Sequence, residues 1–434
     1  MAAQDVGSDL APGAEYALRT ARRRGVRFVR LWFVDVLGLP KAVAVPASEL
    51  EVALERGIGI DGSVLDGARR GRERDVIAVP DPRTFQVLPW AADGRVARMF
   101  CSIRTPDGAP SPGDSRSALE RVLAQVDEAG YQPQVGAEVE FFLLGADGGE
   151  LDTGSYFSVQ DAGTPTRRRT IEHLELMGIP VKASHHEAAP SQHEIDLVHT
   201  DALAMADAIV TMRLTVKEAA AEDGLLASFM PKPVTGEPGS GLHLHLSLFD
   251  DDGNAFFDPD PERPLSPLGG AFLAGVLAHA REVTAVTNQW TNSYKRLTAG
   301  YEAPEVAGWT LHGRSALVRV PSNRPGIAAA ARLELRSPDP GCNPYLALAC
   351  VVAAGLRGIE RGYQPPPPDE ERPVTPPLPE HLLEAVGELA RSEFVREVLG
   401  DRLVEAILVN KHAELQTEKA TVTELERRTL LPLL

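Results

Sequence analysis

The sequence predicts an α+β protein built from two unequal domains. Three observations carry this. Short strand-like runs joined by turns crowd into residues 26–103. A Pro/Gly-rich break, Thr105 to Asp114, follows them. Beyond it, long helical runs alternate with strands that carry charged side chains at every second position. The expected domains are 1–104 and 105–434.

Taken in order, residues 14–24 read as a basic helix and Val26 to Val36 as a strand. The turn at residues 37–40 and a second strand from Lys41 to Pro46 complete a hairpin. Ser48 is placed to cap a helix ending at Gly57, with Glu51 completing a capping box. Asp61-Gly62-Ser63-Val64 falls in a loop, and short strands are expected at 76–79, 85–90 and 95–103. In the second domain Ser115 to Ala129 is helical and Gln134 to Leu144 is a strand. Helices are expected at 166–177 and 201–222, with a short strand at 227–230. A strand centred on His243 and His245 follows, then one long apolar helix over 268–287. Strands at 314–320 and 331–336 precede a helix at 344–357. Residues 364–379 hold eight prolines and read as an exposed extended loop. Helices at 380–390, 391–399 and 402–413 close the chain.

Bulk properties exclude several functions. With 434 residues, 43% of them apolar and 24% charged, the chain has the profile of a soluble globular protein. A net charge of −17 argues against a nucleic-acid partner and an anionic membrane surface. The three cysteines, Cys101, Cys342 and Cys350, match no zinc or redox spacing and suit a reducing cytoplasm. The N-terminus lacks a secretory pattern, and no apolar run is long enough to cross a bilayer.

The chemistry sits on the alternating strands. Glu138 and Glu140 share one strand face, as do His243 with His245 and Glu334 with Arg336. Glu187 and Glu194 flank a proline-containing turn. A single such strand could simply turn its carboxylates to water. Recurrence changes the reading, because clustered carboxylates among apolar residues need a cation between them. Oxygen-rich ligands with one imidazole suit Mg²⁺ or Mn²⁺ better than zinc. Cationic residues gather in the last third: Lys295, Arg296, Arg314, Arg319, Arg332 and Arg336. A divalent ion beside an arginine cluster is the equipment of phosphoryl transfer. No Walker loop or dinucleotide fingerprint is present, so a nucleotide must be held another way.

Read together, these stretches resemble the type I glutamine synthetase family over nearly the whole chain. The matching segments include Asp61-Gly62-Ser63, Glu138 to Phe142, His185 to Glu194 and Phe229 to Pro233. Gly239 to His245, Asn292 to Arg296, Gly300 to Pro304, Arg314 to Pro321, Arg332 to Arg336 and Asn343 to Leu346 continue the match. The resemblance implies a β-grasp-like N-terminal domain and a catalytic domain with a curved antiparallel sheet flanked by helices. It implies Glu140, Glu187 and Glu194 as ligands of one metal ion, and Glu138, His243 and Glu334 as ligands of a second. Arg296 and Arg336 would bind the substrate carboxylate and the transferred phosphoryl group. Arg314, Arg319, His245 and Ser247 would face ATP, and Gly239 would touch the amino acid. Asp61, Tyr156, Glu187 and Glu302 match the ammonium site. Asp61 would arrive from a neighbouring subunit of a double-ring dodecamer, and Glu302 would ride on a flap over the acyl phosphate.

The implied reaction phosphorylates the γ-carboxylate of L-glutamate with ATP and displaces phosphate with ammonia. Two departures from the family pattern touch the acceptor side: Val64 replaces a serine, and Pro238 an asparagine. An apolar Val64 in the pocket opens the alternative of a primary amine acceptor, a polyamine or ethanolamine, giving a γ-glutamyl-amide. Residues 364–390 contain no tyrosine, so control by tyrosine adenylylation is not expected.

Overall fold

The structure, a computed structural model, describes residues 13–68, 71–91, 94–260, 262–298, 300, 302–321, 327–369 and 375–434. The described residues open on the helix Ala14–Arg24, whose Ala14, Ala17 and Ala21 are buried. Six strands follow: β1 (Phe28–Val34), β2 (Pro40–Pro46), β3 (Ile58–Asp61), β4 (Asp75–Pro80), β5 (Gln86–Val87) and β6 (Val96–Arg104). They form one sheet in the order β2-β1-β6-β4-β3, with β5 on β6; β1 and β6 are parallel. The unbroken apolar run of β1 has a physical reason. Val29, Leu31 and Phe33 enter the small domain's own core, while Trp32 and Val34 face the main core of the molecule. A strand buried on both faces loses its polar alternation.

The larger sheet contains β7 (Gln132–Leu144), β8 (Val181–His186), β9 (Gln192–Asp201), β10 (Leu226–Ser228), β11 (Leu242–Asp250), β12 (Gly253–Asn254), β13 (Val306–Thr310), β14 (Ala316–Arg319) and β15 (Leu333–Leu335). Its order is β13-β14-β15-β11-β7-β9-β8, antiparallel except for β13 with β14. One face of β7 sends Val135, Ala137, Val139 and Phe141 into the main core, against the helices Ser115–Glu128 and Ala202–Glu222. The other face carries the glutamates. Behind the sheet, helices Pro267–Ala278 and Pro344–Arg361 cross closely. Their contact needs glycine: a Cβ on Gly275 would lie 2.1 Å from the Ala354 carbonyl oxygen, and one on Gly358 2.1 Å from that of Ala271.

Several elements differ from the sequence reading. Ser48 caps nothing: residues Ala47–Glu49 form a 3-10 turn after Pro46, and the helix Leu50–Arg56 starts without a side-chain cap. The turn has already begun at Ser48, so the serine lies inside it. Asp61 ends a strand instead of sitting in a loop, and it caps the 3-10 helix Gly62–Asp66 by accepting from Ser63 N. Only Gln86–Val87 of the 85–90 stretch is strand. The apolar run 268–287 is two helices, Pro267–Ala278 and Ala280–Thr287, parted at His279. The final helices extend to Ala420, and a further one, Glu424–Leu430, was not expected.

Neither was β13, whose presence explains the proline-rich loop. Residues 369, 376 and 378 hydrogen-bond to Trp309 O, Ala307 N and Glu305 O, so the loop runs along an edge strand instead of extending freely into solvent. Residues 370–374 of that loop lie outside the described residues.

Polar clamps fix the two sheets to each other. Asn343 Nδ2 donates to the Asp35 carbonyl (3.0 Å) and to Ser115 Oγ (2.9 Å). Gln289 Nε2 donates to the Leu37 carbonyl (2.8 Å). Asp66 accepts from Arg74 within the small domain and from Arg402 on the C-terminal helix Asp401–Ala420.

Candidate active site on the open face of the large sheet

Sheet register builds the site. Across β11, β7 and β9, His243 stands opposite Glu138, and Glu138 opposite Asp196. One step along, Glu140 stands opposite Glu194, and Glu194 opposite His185. On the other side, Arg319 on β14 and His245 on β11 both flank Glu334 on β15. Directly paired side chains lie within about 4.5–5.5 Å at Cβ. Four expected ligands thus come from sheet register, a fifth, Glu334, from the β11–β15 pairing, and Glu187 from the turn after β8.

The six expected ligands, Glu138, Glu140, Glu187, Glu194, His243 and Glu334, line a cavity of about 720 Å³ together with Tyr156, Gly239, Arg296, Glu302, Arg314, Arg319 and Arg336. His245 lies just behind this wall, its Nε2 2.8 Å from Glu138 Oε1, while Arg332 Nε donates to its Nδ1 at 3.2 Å. Ser247 lies two residues further along β11, outside the lining. Asp61, on β3, is also outside the cavity of its own chain. Val64 is partly buried against the small domain's own core and, like Asp61, lies outside the cavity of its own chain. Pro238 lines the cavity beside Gly239.

The charges are not balanced by the protein alone. Glu140, Glu187 and Glu194 are all buried. Burial pushes Glu194 far above the usual carboxylate range, with the charge of Glu140 adding to it; Glu140 is raised by burial as well. For Glu138 burial works upward, but His243 and His245 outweigh it and hold the carboxyl low. Glu334 is also buried, yet His243, His245, Arg336 and Arg319 keep it low. Oxygen atoms of Glu138 and Glu194 and a ring nitrogen of His243 lie within 4.8 Å of one another, as do those of Glu187 and Glu194 with His185. Crowded carboxylates of this kind fit a hard divalent cation, which would restore their ionised state.

A third group, Asp152, His186 and His193, has similar spacing but different chemistry. Arg167 lies 2.7 Å from His193 Nδ1, and a guanidinium can only donate. The proton of neutral His193 is therefore on Nε2, which a metal would need bare. Gly163 also closes on that ring, since a Cβ there would lie 2.4 Å from Nε2. This cluster is structural: His186 Nδ1 lies 2.6 Å from the Glu187 carbonyl, and Asp152 accepts from Ser191 N at 2.8 Å. It fixes the turn that carries Glu187.

At the mouth, Tyr156 OH donates to Glu302 Oε2 (2.5 Å), Arg314 pairs with the same carboxylate, and Arg336 donates to the Glu302 carbonyl (3.3 Å). Glu302 and Phe157 both adopt left-handed backbone (φ 57° and 55°), a strained conformation for such residues. Arg296 is buried and donates to the carbonyls of Arg336, Ser337 and Pro338. Its hydrogen bonds thus hold the segment after β15, and it meets the cavity with the rest of its surface. Phe157, His185, Gln192 and His312 also line the cavity and were not among the expected site residues. Gln192 alternates with Glu194 on β9, a period-two signal that the sequence does carry.

A two-sheet α+β chain with a carboxylate-floored, arginine-rimmed cavity defines a metal-dependent phosphoryl-transfer enzyme as its class. Comparison with known proteins narrows this. Residues 25–106 match the glutamine synthetase β-grasp domain and residues 112–430 the glutamine synthetase catalytic domain. The chain belongs to the glutamine synthetase family. It is 49% identical to glutamine synthetase of Mycolicibacterium smegmatis, over 96% of this chain and 99% of the relative. It is 42% identical to that of Thermus thermophilus, over 94% and 96%. A solved structure described as a GmaS/ADP complex superimposes with a TM-score of 0.87 at 33% identity, over 96% of this chain and 99% of that one.

Proposed function

We infer that the protein is an ATP-dependent ligase that phosphorylates the γ-carboxylate of L-glutamate and condenses it with ammonia, giving L-glutamine, ADP and phosphate. One observation carries this reading above the others: Glu138, Glu140, Glu187, Glu194, His243 and Glu334 meet in a single cavity whose rim holds Arg314, Arg319 and Arg336. The full-length likeness to relatives named glutamine synthetase supports it.

Glu140, Glu187 and Glu194 would hold one Mg²⁺ or Mn²⁺, and Glu138, His243 and Glu334 a second. Bound there, the ions neutralise phosphate charge that the arginines alone leave exposed. Arg314 and Arg319 position the nucleotide phosphates, with His245 and Ser247 behind them. Arg336 and Arg296 orient the glutamate carboxylate, Arg336 also stabilises charge on the transferred group, and Gly239 offers its backbone to the amino acid. Glu302 covers the acyl phosphate against water and, with Tyr156 and Glu187, forms an anionic corner that binds ammonium and draws off its proton. Asp61 completes that corner from a second copy in a ring assembly of two hexamers; its place outside its own chain's cavity supports this. The division into domains at residue 105 follows the same reading.

The amine-acceptor alternative rests on Val64, which lies in the 3-10 helix capped by Asp61 and would reach a neighbour's site with it. The test is phosphate release from ATP and glutamate with ammonium, putrescine, spermidine or ethanolamine. Ammonium should give the highest kcat/KM. Turnover with an amine and none with ammonium would reject the reading.

A further inference from the structure

We propose that Gln192 is a positioning residue that ties one metal ligand to the backbone expected to receive the amino acid, adding a side-chain link to the backbone bonds between them. Gln192 opens β9 and is 1% exposed. One N–H of its amide reaches Glu140 Oε2 at 3.1 Å, and the other reaches the Gly239 carbonyl at 3.1 Å. Its Oε1 accepts from Ala189 N at 3.3 Å, within the turn that carries Glu187. One amide therefore joins β7, the 239–241 segment and the 187–192 turn, and all of its polar atoms are used.

The consequence falls on Glu140. Gly241 N also donates to Glu140 Oε2, at 2.8 Å, so that oxygen has two donors from the protein. Oε1 is the atom left facing the cavity, 3.7 Å from His243 Nε2. Gln192 and Gly241 N together thus select which carboxylate oxygen a cation meets and in which direction it points, the usual work of groups hydrogen-bonded to a ligand. The same amide fixes the Gly239 carbonyl. The backbone has no slack there, because a Cβ on Gly239 would lie 2.2 Å from the Pro231 carbonyl oxygen. A shift of Glu140 and a shift of the glutamate-binding backbone are therefore the same event. Backbone bonds join the same parts, Gly241 N to Glu140 Oε2 and Glu140 N to the Gly241 carbonyl, and Gln192 extends the tie to Gly239.

The inference rests on the ligase reading, and its test separates the two. Gln192→Met keeps the volume and removes both N–H donors. Gln192→Glu keeps the shape and sets a further carboxylate against Glu140. Mn²⁺ affinity is measured by calorimetry on the full-length protein without nucleotide, and KM for glutamate and ATP by steady-state assay. Gln192→Met should weaken Mn²⁺ binding and raise KM for glutamate, each by about tenfold as for other supports of metal ligands. KM for ATP and the thermal midpoint of the metal-free protein should hardly move. Gln192→Glu should lose more on the glutamate side than Gln192→Met. Mn²⁺ affinity and glutamate KM both within twofold of the unmodified protein in either variant would overturn the proposal. So would a parallel rise in all three constants with a lowered thermal midpoint, which marks general loosening. If the unmodified protein fails to turn over ATP with glutamate and ammonium, the functional reading fails, and the Mn²⁺ measurement alone decides for or against Gln192.

Discussion

Arg336 shows how much one side chain can be asked to do. It pairs with Glu334, which is fully buried, and it donates to the carbonyl of Glu302 at the cavity mouth. It therefore touches a metal-type ligand and the cover of the site together. Arg336→Ala should lower kcat by about 10²–10³, the range seen when one preformed donor to a developing charge is removed. Steady-state kinetics checks this, and a loss below tenfold would mean the role is misassigned. The neighbouring Arg296 has a different expectation. Its hydrogen bonds go to three backbone carbonyls, so Arg296→Lys, which cannot make the same planar fork, should raise KM for glutamate and lower thermal stability together.

At the scale of elements, the segment bearing Glu302 is held by a small network. Tyr156 OH, the Arg314 guanidinium and Glu302 share one carboxylate, and Glu302 pays for its place with left-handed backbone. The hydrogen bonds from Tyr156 and Arg314 outweigh burial and hold the Glu302 carboxyl below its ordinary range, while burial first and that hydrogen bond second raise the Tyr156 phenol. Tyr156→Phe removes one donor and leaves the ring. It should raise KM for ammonium at least fivefold and leave KM for ATP within twofold, by competition kinetics at fixed pH. If both constants move equally, Tyr156 serves the whole cavity and not the ammonium corner.

At the scale of the whole molecule, Asp66 clamps the small domain to the helix Asp401–Ala420 through Arg402, while Arg74 of the small domain holds the same carboxylate. Burial would raise its carboxyl, but the hydrogen bonds of both arginines win and lower it from the ordinary 3.8. A carboxyl lowered on folding adds stability above its unfolded value and loses that contribution as pH falls through its folded value. Asp66→Asn should thus cost roughly 1–3 kcal/mol, as for hydrogen bonds to a charged group, between pH 5 and 8. The difference from the unmodified protein should shrink below about pH 4; thermal melts across that range measure it. A second prediction concerns assembly. If Asp61 serves a neighbour's site, Asp61→Ala and Glu334→Ala are each inactive, yet mixed rings should regain activity. Random mixing at equal amounts leaves roughly a quarter of sites with both groups, since each site draws on two subunits. No recovery after dissociation and reassembly would place Asp61 outside catalysis.

Much of this protein was legible in order along the chain, because its site residues sit on strands. Alternation alone puts Glu138 with Glu140, His243 with His245 and Glu334 with Arg336 on common faces, whatever their partners are. The same logic fails where the signal is not periodic. β13 carries no strong alternation, and the break at His279 leaves no proline or glycine to mark it. Ser48 matched a capping box by spacing, but Pro46 had already started the turn.

What the sequence by itself determined was the inventory: which carboxylates, imidazoles and guanidiniums exist, and which pairs share a face. Tertiary structure alone decided their company. Strand register brought Glu140 opposite Glu194 and His243 opposite Glu138, and packing kept Asp61 and Val64 out of their own chain's cavity. The reason is range: side-chain direction follows from local backbone geometry, whereas register and domain placement depend on contacts between segments far apart along the chain.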